Sequence, residues 1–175
     1  NTVEEDILAF FIAYQLEFEA FGLPAQLNVG MRYEDTDVKA YAFQAVPNNI
    51  RWTADNDFVI DYNADNENVD GKGSYNNWLP NFDFKVDITD NLVGRFSYSK
   101  TIGRVPYGNL FASTTAGGPN RPTVLGGQTG GNSQNPNLKP LSSKNIDVSF
   151  EYYFGESSYV SIGYFDKKVE NFLGT

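Results

Sequence analysis

Four carboxylates fall at spacings that could do acid–base work. Asp83 with Asp87, and Asp147 with Glu151, could in principle serve as the proton donor and base of a glycoside hydrolase. Each pair stands two or more strand pleats apart among many other polar residues, which is how a solvated wall looks, and the wall is the better reading. A second cluster, Asp61, Asn63 and Asp65 in DYNADNENVDGK, has the odd-position spacing of a calcium loop. Asn66 occupies the place of the required Gly, however, and Lys72 that of the bidentate Glu. The GGQTGG segment at 126–131 has the glycines of a phosphate cradle without the following Lys and helix, and reads as a loop. There is no cysteine and no histidine. Thiolate and imidazole metal sites, Cys nucleophiles, Ser/His arrangements and a disulfide scaffold are therefore excluded, and the chain implies no cofactor and no enzyme.

Binding chemistry is better represented. Tyr107, Asn109, Phe111, Asn120, Arg121 and Gln128 mix aromatic faces with amide and guanidinium donors, the kit that holds a sugar or a ferric chelate. Arg104 stands beside them in sequence, and Trp52 and Tyr62 add two more aromatic residues from an earlier segment. All nine sit on long connections, where they either line a ligand mouth or pack the loops together.

The elements that must position these residues are strands. Along NWLPNFDFKVDIT, Trp78, Pro80, Phe82, Phe84, Val86 and Ile88 occupy one face, and Asn81, Asp83, Lys85 and Asp87 the other. Thr89, Asp90 and Asn91 break the pattern. Leu92, Gly94, Phe96 and Tyr98 then alternate with Val93, Arg95, Ser97 and Ser99. A three-residue loop pairs Ile88 with Leu92, Val86 with Gly94, Phe84 with Phe96 and Phe82 with Tyr98, with Asn91 in a left-handed position. This register sets Lys85 against Arg95, to be offset by Asp83 and Asp87.

Two further hairpins follow the same rule. Leu8, Phe10, Ile12, Tyr14, Leu16 and Phe18 form an apolar row. After a break at Gly22 and Pro24, Leu27, Val29, Met31 and Tyr33 form another. Near the end, Ile146, Val148, Phe150, Tyr152 and Phe154 precede a GESS turn and then Val160, Ile162 and Tyr164. Between the hairpins lie two long loops, about 35–74 and 102–141, both read as irregular. The first is acidic: from Glu34 to Lys72, nine acidic residues face three basic ones. The second contains no acid, and holds five of the eight prolines.

Each arm of the central hairpin runs ten residues or more, the length that crosses a bilayer as a tilted strand. Tyr75, Trp78 and Tyr98 stand where an interfacial aromatic girdle would lie. Short turns at one rim and long loops at the other complete the asymmetry of an outer-membrane barrel. The mean hydropathy of −0.41 is compatible with this, because a barrel strand alternates. No run of eighteen apolar residues exists to form a transmembrane helix. A net charge of −9 and a pI near 4.4 argue against nucleic acid as partner. Six strands cannot close such a barrel, since the smallest has eight, so the rest of the barrel is expected either elsewhere in a longer protein or from other chains.

The residues also resemble a family. Leu79-Pro80, Arg95 with Ser99-Lys100-Thr101, Asn135-Pro136-Asn137-Leu138-Lys139-Pro140 and Tyr164-Phe165-Asp166-Lys167 recur in this order in the carboxy-terminal half of TonB-dependent outer-membrane receptor barrels. Gly30, Arg32, Tyr33 and Thr36 are similar to that family's Gly-x-Arg-Tyr-x-x-Thr strand. One departure is Val105, which separates Arg104 from Pro106 where the family more often has them adjacent.

The resemblance implies an all-β, antiparallel transmembrane β-barrel fragment spanning 1–175, cut from a parent of about 22 strands, with the plug domain, the TonB box and the final strands lying elsewhere. It implies a bacterial outer-membrane location and active uptake of a scarce small-molecule ligand. The partners would be outer-membrane lipid and, through the missing amino-terminal region, TonB. Few cationic residues favour an oligosaccharide over a ferric siderophore. The competing readings are a soluble carbohydrate-binding β-sandwich and a passive porin.

Overall fold

The computed structural model describes residues 1–54, 57–117, 130–155 and 158–172. These form β1 (Thr2–Ala20), β2 (Leu23–Gln44), β3 (Pro47–Ala54), β4 (Asp57–Tyr62), β5 (Glu67–Thr89), β6 (Leu92–Gly103), a 3-10 turn (Tyr107–Asn109), β7 (Thr114–Ala116), β8 (Gly131–Ser133), β9 (Leu141–Gly155) and β10 (Ser158–Glu170). Six strands make one sheet in the order β1-β2-β5-β6-β9-β10, while β3–β4 and β7–β8 are separate two-stranded ribbons. The sheet is therefore an open meander. Its tight connections fall at one end of the strands, and the connections 45–66 and 104–140 leave from the other.

The chain divides into two compact units. One comprises Ile7–Asp35, Tyr75–Arg104 and Lys139–Thr175 and contains the strictly alternating stretches. Its apolar rows run unbroken across the paired strands: Phe82 opposes Tyr98 and Phe84 opposes Phe96, then Phe96 opposes Val148 and Gly94 opposes Phe150, and Ile162 opposes Phe150 in turn. Aromatic rings meet along this face, with Tyr33 and Trp78 at 4.8 Å, Phe82 and Phe96 at 5.9 Å, and Phe18 and Phe84 at 6.5 Å between centroids. Large apolar side chains such as Phe10, Ile12, Phe150, Ile162 and Tyr164 remain exposed. An apolar face left open to its surroundings is what a sheet immersed in lipid presents.

The expected register of the central hairpin is observed at Phe82–Tyr98, Phe84–Phe96, Val86–Gly94 and Lys85–Arg95. It differs at the turn, where a shift after Asp87 brings Thr89, in place of Ile88, opposite Leu92. Nor is Asn91 left-handed: among the described residues, positive φ outside glycine occurs at Phe21 and Asn171. The Thr89 hydroxyl caps the turn instead, its Oγ1 accepting the backbone N–H groups of Asn91 at 3.3 Å and Leu92 at 3.0 Å. A β-hydroxyl doing the work of a turn needs no left-handed residue. In the third hairpin, Gly155 opposes Ser158, and 156–157 of the GESS turn lie outside the described residues.

The other unit comprises Asn1–Asp6, Thr36–Ser74 and Val105–Leu138. Here the expected irregular loop 35–74 is corrected: β2 continues to Gln44, β3 and β4 form a ribbon, and β5 begins at Glu67. The continuation of β2 alternates fully, with Thr36, Val38, Ala40 and Ala42 buried and Asp35, Asp37, Tyr41 and Phe43 exposed. Its buried members are small, so a search for bulky hydrophobic residues passes over it. The 102–141 stretch is likewise shorter as a connection, because β6 reaches Gly103 and β9 starts at Leu141. Within it Leu110 and Ala112 are buried.

The first tight turn carries a measurable strain. Phe21 and Gly22 both have positive φ, 55° and 77°, the pattern of a two-residue type I′ turn. Gly suits its position, but a Phe in the left-handed region is a sterically costly choice. Replacing Phe21 by Asn, the residue such turns favour, should stabilise the intact barrel by about 1 kcal/mol. Urea unfolding of the full-length receptor in detergent reads this as a higher midpoint; an unchanged or lower midpoint would mean that the exposed Phe21 ring contributes what its backbone loses.

Candidate functional site

The polar face of the sheet is a network of paired charges. Lys85 Nζ lies 2.9 Å from Asp87 Oδ1, as the sequence led one to expect. Arg95 takes a different partner, Glu151 on β9, at 3.1 Å. The opposing Lys85 and Arg95 are thus neutralised separately, one along its own strand and the other across to the next. Two of the four carboxylates with acid–base spacing, Asp87 and Glu151, are committed to these pairs. Beside them the Asn145 amide donates to Ser99 Oγ and to Thr101 Oγ1, each at 3.3 Å, and accepts from the Ser143 hydroxyl at 2.8 Å.

Arg104 belongs to the same face. Its Nη2 donates to Glu34 Oε2 at 2.8 Å, while Arg32 Nε donates to the other oxygen, Oε1, at 2.6 Å. Glu34 is only 5% exposed. A carboxylate this buried needs both oxygens satisfied, and the two guanidinium groups do that. Arg104 is thereby tied to β2 where β6 leaves the sheet. Glu34 was not singled out from sequence; an acid among polar neighbours at the end of a Gly-x-Arg-Tyr strand gives no signal that it will be enclosed.

The remaining described candidates lie in the other unit. Trp52 is on β3, opposite Phe58, and Ile50 is opposite Ile60. These four residues share one face of the ribbon, with Trp52 64% exposed. On the opposite face Arg51 holds Asp61 through two hydrogen bonds, Nε to Oδ2 at 2.9 Å and Nη2 to Oδ1 at 3.0 Å. That guanidinium keeps the Asp61 carboxyl below its usual range. Asn63 gives its amide to Glu67, so two residues of the calcium-like spacing already have protein partners. Among the described residues no cluster of three or more potential metal ligands occurs.

Tyr62 and Tyr107 each hold a neighbour. The Tyr62 hydroxyl donates to the Ala116 carbonyl at 3.3 Å, joining β4 to β7, and Gln44 Nε2 reaches the Thr114 carbonyl at the same distance. The Tyr107 hydroxyl donates to Glu5 at 3.3 Å. Asn109 accepts the Asn135 N–H at its backbone carbonyl, at 3.0 Å, leaving its side chain exposed, and Phe111 is half-buried. Asn120, Arg121 and Gln128 lie outside the described residues.

A concavity of about 450 Å³ opens beside the ribbon, lined by Pro47, Asn48, Asn49, Ile50, Ile60 and Ala116. Its wall includes Ile50 and Ile60 of the apolar face, with Asn48 at the edge of that face, whereas Asn49, opposite Asp61, belongs to the face of Arg51. Asn48 and Asn49 escaped the sequence reading because nothing aromatic or charged adjoins them.

The Asn-Pro-x-Leu-Lys-Pro segment gains a physical role. Asn135 Oδ1 accepts the Asn137 N–H at 2.9 Å and its carbonyl accepts the Leu138 N–H at 3.2 Å, an Asx-type turn. This turn lies directly on β5. A Cβ at Gly73 would sit 2.3 Å from the Pro136 carbonyl oxygen, and one at Gly71 would sit 2.5 Å from the Pro136 ring. The two glycines are what let the turn approach.

An open antiparallel meander with one apolar face, one charge-paired face, tight turns at one end and long connections at the other defines a section of transmembrane barrel wall. The model of the TonB-dependent receptor-like β-barrel matches residues 1–175, and the chain belongs to that family, a family of bacterial outer-membrane receptors. Among solved structures the chain is similar to the siderophore receptor PirA from Acinetobacter baumannii, with 13% identity and a TM-score of 0.45 over 96% of this chain. It spans 27% of that receptor's length. No curated protein matches.

Proposed function

We propose that this chain is a section of the barrel, with its loops, of a receptor in the bacterial outer membrane that takes up a scarce nutrient, coupled to TonB through parts of the protein outside this segment. The observation that carries this reading is the set of apolar rows that cross from β5 through β6 and β9 to β10, Phe84–Phe96–Val148–Tyr164 and Val86–Gly94–Phe150–Ile162, open to their surroundings and backed by a polar face with paired charges. The β3–β4 ribbon is the ligand contact. An exposed indole flanked by Ile50, Phe58 and Ile60 stacks a sugar ring, and Asn48 at the edge of the same face hydrogen-bonds its hydroxyls. The class favoured is therefore a neutral oligosaccharide. A ferric siderophore with anionic donors would be better served by unpaired cations, and on this ribbon Arg51 is already bound to Asp61.

Calorimetric titration of the purified full-length receptor with a panel of neutral oligosaccharides and ferric chelates tests this. An oligosaccharide should bind, and Trp52→Ala should weaken it roughly tenfold, the effect of removing one stacking anchor. Binding confined to ferric chelates would overturn the substrate class, and an unchanged affinity in the variant would overturn the site.

A further inference from the structure

The outward face of the sheet carries a cross-strand row of like charges. Lys100 on β6 is directly opposite Lys144 on β9, and Lys144 is directly opposite Lys168 on β10. With no register shift between them, these residues share a face with the rows Phe96–Val148–Tyr164 and Tyr98–Ile146–Asp166, which places them on the apolar side. Three cations in register on adjacent strands repel one another. Two carboxylates on β10 share their face: Glu170, 3.3 Å from Lys144 Nζ and 3.7 Å from Lys168 Nζ, and Asp166, one outward row away. The row keeps a net positive charge, concentrated toward Lys100, for which no ion pair occurs among the described residues.

Height along the barrel says what such a row meets. From Gly155, at the tight-turn end of β9, to Lys144 a strand tilted about 40° climbs roughly 28 Å. The outward apolar band of such barrels is about 25 Å tall. The lysines therefore stand just past the band, at the level of outer-leaflet headgroups, with the apolar Tyr98–Ile146 row immediately inside it where acyl chains begin.

We propose that Lys100, Lys144 and Lys168 form a binding site for the phosphate groups of an anionic, phosphorylated lipid of the outer leaflet, its acyl chains lying along the Tyr98–Ile146 and Phe96–Val148 rows. The inference rests on the membrane reading given above. Ammonium groups recognise phosphate as point charges, and the adjoining apolar rows select a lipid over the free ion. Asp166 and Glu170 flank Lys168 along β10, and because Glu170 already pairs with Lys144 and Lys168 the phosphate seats toward Lys100.

The test uses the full-length receptor in mild detergent, with native mass spectrometry of added bis-phosphorylated lipid A. Wild type should bind it, and Lys100→Gln/Lys144→Gln/Lys168→Gln should bind roughly tenfold less or weaker still. Lys167→Gln, one residue along β10 on the opposite face, should bind as wild type does. Fully dephosphorylated lipid A should bind poorly, and excess inorganic phosphate should leave the phosphorylated lipid in place. Equal binding by the triple variant, equal binding of dephosphorylated lipid, or displacement by inorganic phosphate would overturn the site.

Unheated and heated gels accompany each variant. A wild type without a heat-dependent mobility shift overturns the membrane reading and the site with it, whereas a normal shift with unchanged lipid binding overturns the site alone. If the triple glutamine variant loses the shift, Lys168→Gln, at the most exposed of the three, decides the question by the same readout. The triple arginine variant keeps the charge and should keep the lipid; its failure to do so with a normal shift would equally overturn the site.

Discussion

Replacing Glu34 by alanine should destabilise the barrel more than any other single removal of a charge from the sheet. The carboxylate is 5% exposed and accepts one hydrogen bond on each oxygen, from Arg32 and Arg104. Without it two guanidinium groups face each other with their shared acceptor gone. Losing one partner of a buried ion pair costs about 3–5 kcal/mol. Here the Arg32 and Arg104 side chains are 47% and 36% exposed and recover part of that from water, so about 2–3 kcal/mol is expected.

Urea or guanidinium unfolding of the full-length receptor measures it, and an effect within about 0.5 kcal/mol, typical of a surface substitution, would show that water replaces the carboxylate without loss. Glu34→Gln separates charge from shape, because its amide oxygen still accepts one of the two hydrogen bonds. It should cost less than alanine. Arg104→Ala should cost less again, since Arg32 continues to neutralise the carboxylate, and the double variant Glu34→Ala/Arg104→Ala should be no worse than Glu34→Ala alone. Strict additivity would mean that the two residues act independently.

The clamp also illustrates which parts of the molecule the sequence discloses. Strands that put Phe, Trp, Ile or Tyr on alternate positions were legible, and so was most of the central register, because shifting by one residue would have mixed Val86 with Arg95. The family could be seen in the residues for the same reason: its motifs lie on these strands and their exits. What escaped was order built from small residues. Thr36, Val38, Ala40 and Ala42 alternate as faithfully as Phe82, Phe84 and Val86, yet their low hydrophobicity and the acids between them made a strand look like a loop. Turn chemistry escaped in a different way. Asn is, after glycine, among the residues most often found left-handed, but the Thr89 hydroxyl two residues before Asn91 satisfied the turn's N–H groups by another route. Of the candidate residues, the aromatic ones were chosen by type alone, whereas the hydrogen bonds that Arg104 and Tyr62 make, to Glu34 and to the Ala116 carbonyl, join positions far apart in sequence. No spacing rule connects positions 34 and 104.

Substituting Gly73 by alanine should detach the Asn135–Leu138 turn from β5 while leaving the barrel closed. The added methyl carbon would meet two backbone positions, the Pro136 carbonyl oxygen at 2.3 Å and Asn137 Cα at 2.8 Å. Backbone cannot rotate away as a flexible side chain can, so the turn must move as a body. Moving it strains the hydrogen bond from the Asn135 N–H to the Asn109 carbonyl, and with it the segment that buries Leu110 and Ala112. Overpacking of this kind costs about 1–3 kcal/mol, and the cost should fall on the connection from 104 to 140 and spare the sheet. Limited proteolysis of the full-length receptor should therefore cut this connection at least severalfold faster in Gly73→Ala, with the heat-dependent gel shift unchanged. Gly108→Ala is the control: its Cβ would meet nothing within 4 Å, and its cleavage rate should match wild type. Equal protease resistance in Gly73→Ala would mean that the turn gives way by a few tenths of an ångström at no cost, and that the two glycines of β5 are not what seats it.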